Sequence, residues 1–539
     1  MRIGSEKERD IRFAAVMAVL LLLQLCVCFY FGNKKAGFHE DELYTFYSTN
    51  KTAGLFVNDR QWLSREQIWN DFVVLPEEGF RYGVVKQMQS WDVHPPFYYY
   101  LIHTACSLFP GVFSKWLGIG VNMIAFTGSF LLLAYVANMG KRGKILSFLT
   151  CLAWGFGSAV ISGVMFIRMY QWLTLFILLC LALHIRAVKK NDFRVRTFLI
   201  PLAATVFFGF LTQYYYIIFH FFLGAGFCFL LLKSKKIKEL IAYVASCGLG
   251  FVGAVAYYPA SLSHIFRGYR GTEAVSEFSD VSNTLGRLRF FYGLFDDFMM
   301  NGTLSWWLLV ICLLAVTAVY LRKKGKGKEA GVGFDGMAGL ILFACAGYFF
   351  TVSKTALILG ESSSRYQLPI YGLLLFLVLY SVWTLLGEFP LFSGRNEGKE
   401  RNYRILAGIL GAVLVLTDAL AMKNGRVFFL YEEEKQVMAY VQAHKDDTVV
   451  VFYNDALSGF IWWLSDELME FDKVYLASQG NPEPISDELI LESERLLVYV
   501  ADYENQEECL ERLMETNSHL NSCQMIAQKN FWTLYELGN

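Results

Sequence analysis

Long apolar runs, each close to the length of a membrane crossing, alternate with short basic or turn-forming breaks through the chain up to about residue 421. The first, from about Phe13 to Phe31, follows Arg2, Lys7, Arg9 and Arg12 and approaches the ~20 residues a helix needs to cross hydrocarbon. No small-x-small cleavage site follows it, and Leu23-Gln24-Leu25 before Cys26 lacks the small residue of a lipoprotein processing site. An uncleaved anchor is expected. Further spans are predicted at about 116–138, 145–165, 169–187, 197–212, 214–232, 238–259, 303–321, 337–357, 366–387 and 404–421. The apolar stretch 95–109 is short, opens with Pro95-Pro96 and ends at Pro110-Gly111, which predicts an interfacial or re-entrant helix.

With about eleven spans, every basic cluster falls on the N-terminal side: Lys141-Arg142-Lys144, Arg186 to Arg196, Lys233 to Lys238, Arg322 to Lys328 and Arg395 to Arg404. The positive-inside rule makes that side cytoplasmic. Outside lie a long first loop (about 32–115), a second long loop (about 260–302) and the segment from about 422 onward. The functional surface is thus expected outside the cytoplasm.

Beyond residue 421 the pattern changes. Charge rises and the apolar runs become short and β-rich, as in Thr448 to Tyr453 and Leu496 to Val500, with helical patterns between them at Glu433 to His444 and Gln506 to Glu515. Two domains follow: a membrane domain, 1–421, whose outer loop 32–115 carries an acidic motif, and a small extracytoplasmic α/β domain, 422–539. Asp446, Asp447 and Asp472 read as turn and surface residues.

Composition sharpens this picture. Of 539 residues 55% are hydrophobic and only 18% charged, too apolar for an ordinary soluble protein. The formal net charge is zero, so nothing points to nucleic acid. The 11 cysteines and eight histidines show no metal spacing and no cysteine beside a histidine cluster, so no zinc site is expected. Cys509 and Cys523 are candidates for a disulfide in the outer domain.

Candidate chemistry lies on the outer side. Asp41-Glu42, in Gly37-Phe38-His39-Glu40-Asp41-Glu42-Leu43-Tyr44-Thr45, follows the first span, and Asp92-Val93-His94-Pro95-Pro96-Phe97-Tyr98-Tyr99-Tyr100 closes the polar part of the same loop. Taken singly, the acids fit a solvated helix N-terminus and His94-Pro95-Pro96 a helix start. Arg168-Met169-Tyr170 and Arg365-Tyr366 with Pro369 stand at outer span boundaries, against the positive-inside bias. Snorkelling is the ordinary reading of such arginines; a guanidinium that grips two phosphate oxygens is the functional one.

In this order and after a first uncleaved span, these residues resemble the bacterial relatives of the protein O-mannosyltransferases and aminoarabinose transferases, polytopic glycosyltransferases of the C-type fold that use polyprenyl-phosphate-linked sugars. The resemblance covers about 1–421, and the C-terminal domain is not part of it. It implies a polytopic α-helical fold and an inverting transfer in which Asp41 is the general base and Glu42 orients Asp41 or the loop. Arg168 and Arg365 are the implied phosphate clamps. Asp92, His94, Tyr98, Tyr170 and Tyr366 join them as substrate-binding residues, with His94 a partner for the donor phosphate or the acidic pair and Tyr98 a face for the sugar or a wall of the lipid groove. Lys115 stands where the family more often has arginine and has a weaker phosphate role. The donor is a polyprenyl-phosphate sugar, the acceptor an envelope polymer, lipid or protein, and membrane lipid surrounds both. No obligatory metal is expected, although Glu40-Asp41-Glu42 with Asp92 offers oxygen ligands for a divalent ion.

Transferring a sugar from a lipid phosphate needs a base, cations for the leaving phosphate and a dry surface for the lipid chain. These residue types meet that need. In the second loop Arg267, Arg270, Asp296 and Asp297 are open to an acceptor role. The competing reading is a transporter or flippase for a lipid-linked sugar, which would place acids along the spans; few are present, Asp418 being one. A membrane domain that has lost catalysis and serves as a scaffold is a third, opposed by the intact Asp41.

Overall fold

Apolar runs with no partner for their backbone groups in hydrocarbon must satisfy those groups internally, and these do so as helices. The computed structural model describes residues 2–51, 58–138, 143–324, 336–392, 397–502 and 506–539. Among these, 10 helices are long and apolar enough to cross a membrane, and a bent pair makes 11. They coincide with the eleven expected spans, and the chain is a multi-pass membrane protein. Of the basic clusters used for orientation, Lys141, Arg142, Lys326, Lys328 and Arg395 lie outside the described residues. The bent pair, Gly143–Phe156 and Ser158–Met165, turns by 55° at Gly157. A Cβ there would stand 2.8 Å from Met299 Sδ and 3.2 Å from the Ala153 carbonyl, so the break is packed as closely as glycine allows. Residues 97–108 form a helix of 12 residues, about 18 Å long and too short to cross.

The residues group into two compact units. The first comprises Met1–Gly32, Gln89–Tyr98 and Gly118–Phe428 and holds the spans. Its most enclosed helices start at Arg168-Met169-Tyr170 and at Arg365-Tyr366: 72% of the apolar window of Tyr170–Lys190 and 78% of that of Gly360–Leu386 are buried, against 11% for Leu304–Lys323. Arg168 and Arg365, the candidate phosphate clamps of the sequence reading, therefore stand at the starts of the two helices most surrounded by protein among the described spans.

The second unit joins Asn33–Met88 and Tyr99–Leu117 to Phe429–Asn539. The sequence assigned the first loop to the membrane domain, whereas most of it clusters with the C-terminal segment. One cause is a six-stranded sheet of order β1-β3-β2-β4-β6-β5, comprising β1 (Gln61–Ser64), β2 (Thr448–Tyr453), β3 (Lys473–Ser478), β4 (Arg495–Ala501), β5 (Ser522–Lys529) and β6 (Trp532–Gly538). The strands β2, β3 and β4 are parallel and buried, which explains their continuous rather than alternating apolar runs. The first loop supplies β1, antiparallel to β3, with Trp62 opposite Tyr475 and its Nε1 donating to Asp487 at 2.8 Å. Four residues are too few for periodicity to reveal a strand. Cys509 is buried in the sheet's core and Cys523 is exposed; both are free thiols.

At the end of β5 one ammonium holds three carboxylates. Lys529 Nζ lies 3.0 Å from Glu434, 3.3 Å from Asp466 and 3.1 Å from Glu467. Burial raises the Glu434 carboxyl; Lys529 opposes this, Asp466 and Glu467 add to it, and the result is a pKa pushed up from 4.5 to about 7. A carboxyl raised on folding contributes stability that is fully present below about pH 4.5 and is lost as the pH rises through about 7, roughly 3 kcal/mol at most. Glu434→Gln should therefore flatten the decline in thermal stability between pH ~5 and ~8 relative to wild type. Superimposable pH profiles of the two melting temperatures would show that Glu434 carries no such shift.

Candidate functional site

The acidic motif opens helix α2 (Glu40–Asn50), and its two carboxylates have different surroundings. His39 is the N-cap: its Nδ1 accepts from the Asp41 amide at 3.0 Å, while its own amide donates to Glu42 Oε2 at 2.7 Å. Glu42 Oε2 also accepts from Lys35 Nζ at 2.8 Å, and both side chains are fully buried. Burial depresses the Lys35 pKa below its ordinary value, with Glu42 acting against that shift. The Asp41 side chain, by contrast, is one-third exposed, at 33%, at the positive end of the helix dipole. One acid is thus built into the loop, and its neighbour faces outward. Lys115 Nζ donates to the Lys35 carbonyl.

In the first unit a second constellation forms around His94. His94 Nδ1 lies 2.5 Å from Asp92 Oδ2, and His94 Nε2 lies 2.9 Å from Arg168 Nη2. A guanidinium has no acceptor, so Nε2 must accept and Nδ1 must carry the proton donated to Asp92. The imidazole is therefore held in one tautomer between an anion and a cation. Burial alone would raise the Asp92 carboxyl, but His94, Arg168 and the Val93 amide outweigh it, and the group lies below the ordinary carboxylate value. The Tyr258 hydroxyl donates to the His94 carbonyl at 3.3 Å.

Phe166, in the break between Ser158–Met165 and Tyr170–Lys190, links the arginines. Its carbonyl accepts from the Arg168 amide at 2.7 Å and from Asn122 Nδ2 at 2.7 Å. Its ring carries the Arg365 guanidinium 5.0 Å from the centroid and stacks on Tyr170 at 6.2 Å. Tyr366 completes the cluster, edge-on to Tyr170 at 5.7 Å and 3.3 Å from Arg365 Nη2 through its hydroxyl. Arg168 and Arg365 are only 2% and 5% exposed, far more buried than snorkelling arginines that reach water. Tyr98 is fully buried, its hydroxyl donating to Asn122 Oδ1 at 3.3 Å.

Among the predicted residues, the structure therefore brings together Asp92, His94 and Arg168, then Tyr170, Arg365 and Tyr366, and in the second unit Asp41 and Glu42. Residues that sequence reasoning missed are Lys35, Phe166 and Asn122. Lys35 left one trace, a lysine pair directly after the outer end of the first span, against the positive-inside bias. Phe166 and Asn122 left none, being an aromatic and an amide within apolar runs. In the second loop Asp296 caps the helix at Leu304, whose amide it accepts at 2.8 Å, and Arg270 pairs with Glu273 at 3.2 Å.

Folding brings one cysteine to two histidines: Cys180 Sγ lies 3.4 Å from His220 Nδ1 and 3.9 Å from His184 Nδ1. Residues 180 and 184 share a helix face at a spacing of four, and helix Tyr215–Lys233 brings His220 to them. Among the described residues, no group of three or more His, Cys, Asp or Glu side chains is placed to hold a metal ion.

No family model matches the sequence, and no curated protein matches it. In three dimensions the chain is similar to ArnT from Cupriavidus metallidurans bound to undecaprenyl phosphate, with a TM-score of 0.51 and 12% identity over 98% of each chain. It is also similar to ArnT from the same organism in the apo state, with a TM-score of 0.50 and 12% identity over 99% of this chain and 98% of that one. At this identity the likeness is one of fold. The chain thus has the C-type glycosyltransferase fold of the ArnT structures, a bundle of membrane-spanning helices with a small strand-containing C-terminal domain.

Proposed function

We propose that this chain transfers a sugar from a polyprenyl-phosphate donor to an envelope acceptor, a glycopolymer, lipid or protein, on the extracytoplasmic face, with inversion at the anomeric carbon. The observation that carries the reading is the pair Arg168 and Arg365, two buried guanidiniums joined through Phe166 at the starts of the two most enclosed spans. Two guanidiniums on neighbouring elements can each grip two oxygens of a phosphate, which suits the head group of a lipid phosphate. The fold supports the donor class, since one of the similar ArnT structures holds undecaprenyl phosphate.

In this scheme Asp41 takes the proton from the acceptor hydroxyl or amine as that atom bonds to the anomeric carbon. The bond from the carbon to the donor phosphate oxygen breaks with its electron pair, and the lipid phosphate leaves. Arg168 and Arg365 neutralise its charge, with Lys115 as a further cation. His94, held in one tautomer by Asp92, fixes the Arg168 guanidinium, while Tyr170 and Tyr366 wall the Arg365 side, and Tyr98 supports it from behind through Asn122. Glu42 orients the loop. The arginines supply the positive charge, so the scheme has no obligatory metal.

In detergent, with a polyprenyl-phosphate sugar and excess chelator, the wild type should turn over, and Asp41→Asn should lose transfer by at least ~10²-fold while still binding donor. Unchanged turnover in that variant would remove Asp41 as the base. Arg168→Ala and Arg365→Ala should each weaken donor binding by roughly a hundredfold; wild-type affinity in both would return them to anchoring. With the N-terminus cytoplasmic, a reporter fused after Asn539 should read extracytoplasmic. A cytoplasmic signal would overturn the proposed orientation.

A further inference from the structure

We infer that Lys35 is a positioning residue for Asp41, and that the C-terminal segment from Phe429 onward is the frame against which Lys35 holds the acidic motif. The inference rests on the proposal that Asp41 is the base. It assigns a role to a lysine and to a segment that the motif residues leave without one.

A fully buried ammonium persists where its donors are used. Lys35 Nζ donates to Glu42 Oε2 at 2.8 Å and to the Phe429 carbonyl at 2.5 Å, and it lies 5.6 Å and 5.3 Å from the ring centroids of Phe38 and Tyr431. Next to this bridge, the Ala36 amide donates to the Leu430 carbonyl at 2.7 Å. At Gly37 the two strands of chain come so close that a Cβ would stand 1.8 Å from Glu434 Oε2 and 3.1 Å from Tyr431 Cβ. Residues 35–37 are thus fitted to residues 429–434 by an ion, a backbone hydrogen bond and a glycine.

The frame itself is strained. Phe429 and Tyr431 have φ of 62° and 51°, a left-handed conformation unfavourable for aromatic residues, which persists where surrounding contacts impose it. The Lys35 bond to the Phe429 carbonyl is one such contact. On the other side of Lys35, Glu42 Oε2 accepts at once from the ammonium and from the His39 amide, and the His39 ring accepts from the Asp41 amide. The route from frame to base is therefore Phe429, Lys35, Glu42, His39, Asp41. Lys35 and Glu42 are wholly enclosed, so they act through Asp41 rather than on substrate.

Further bonds fasten the same loop to the same segment. The Arg65 amide donates to the Asp472 carbonyl at 2.8 Å, the Ser478 amide donates to Asp59 at 2.7 Å, and β1 pairs with β3. The α/β fold of the C-terminal segment thus gives the first loop a rigid edge to lie on. An acid held to within a fraction of an ångström of its working position needs such an edge, because a displacement of about 1 Å can cost about 10²-fold in rate.

The test uses the full-length protein and a polyprenyl-phosphate sugar, with turnover expressed per donor-binding site. Lys35→Met should lower kcat about 10²-fold while donor affinity and stoichiometry stay within about twofold of wild type, and Lys35→Arg should recover part of that loss. Because Lys35→Met leaves a lone buried carboxylate and is open to misfolding, Lys35→Met/Glu42→Met, which removes both charges, serves as the folded control. It should show the same loss of kcat with a melting temperature near wild type. In an Asp41→Asn background, Lys35→Met should cause no further loss, since its effect passes through Asp41. Wild-type kcat in the double variant, or a further loss in the Asp41→Asn background, would overturn the inference. Wild-type turnover in Asp41→Asn alone would instead overturn the proposal that Asp41 is the base.

Discussion

A charge taken out of water must meet its counter-charge or its hydrogen-bonding partners, and in this chain that requirement recurs at three buried clusters. Lys35 meets Glu42 with both side chains fully enclosed. Asp92 meets Arg168 across the two nitrogens of His94. Lys529 gathers Glu434, Asp466 and Glu467. Breaking a buried pair by removing one partner typically costs about 3–5 kcal/mol, whereas an apolar replacement of both is often neutral. Such pairs are therefore poor devices for stability and good ones for fixing which atoms meet. Here they determine which distant stretches of chain lie together.

The acidic motif shows how two adjacent carboxylates acquire different surroundings. Successive residues of a helix point about 100° apart, so in α2 Asp41 and Glu42 face different surroundings although both sit in the first turn. Glu42 turns inward to Lys35 and caps the helix; Asp41 remains one-third exposed. The His39 cap, with hydrogen bonds to both residues, fixes where the helix starts.

Much of the fold was legible in the chain itself. The eleven spans could be read because apolar length is a local quantity, and the parallel strands because their runs are continuously apolar. The short helix after Pro95-Pro96 was legible for the same reason, being too brief to cross. The strand Gln61–Ser64 was not, since four residues carry no period and its partner lies about four hundred positions later. Among site residues, Asp41, His94, Arg168 and Arg365 stood out as polar groups at outer boundaries. Phe166 did not, because an aromatic residue in an apolar run has no signature until a guanidinium is found over its ring.

The sequence alone determined the class of the protein, the number of its crossings and the residue types available for chemistry, because hydrophobic length, local charge and helix-capping patterns act over a few neighbouring residues. Only the tertiary structure decided which polar groups pair: Lys35 with Glu42 and the carbonyl of Phe429, His94 between Asp92 and Arg168, and the first loop on the edge of a sheet made by the last hundred residues. The physical reason is that the energy of a buried charge depends on what surrounds it in three dimensions, and those surroundings come from segments hundreds of residues apart.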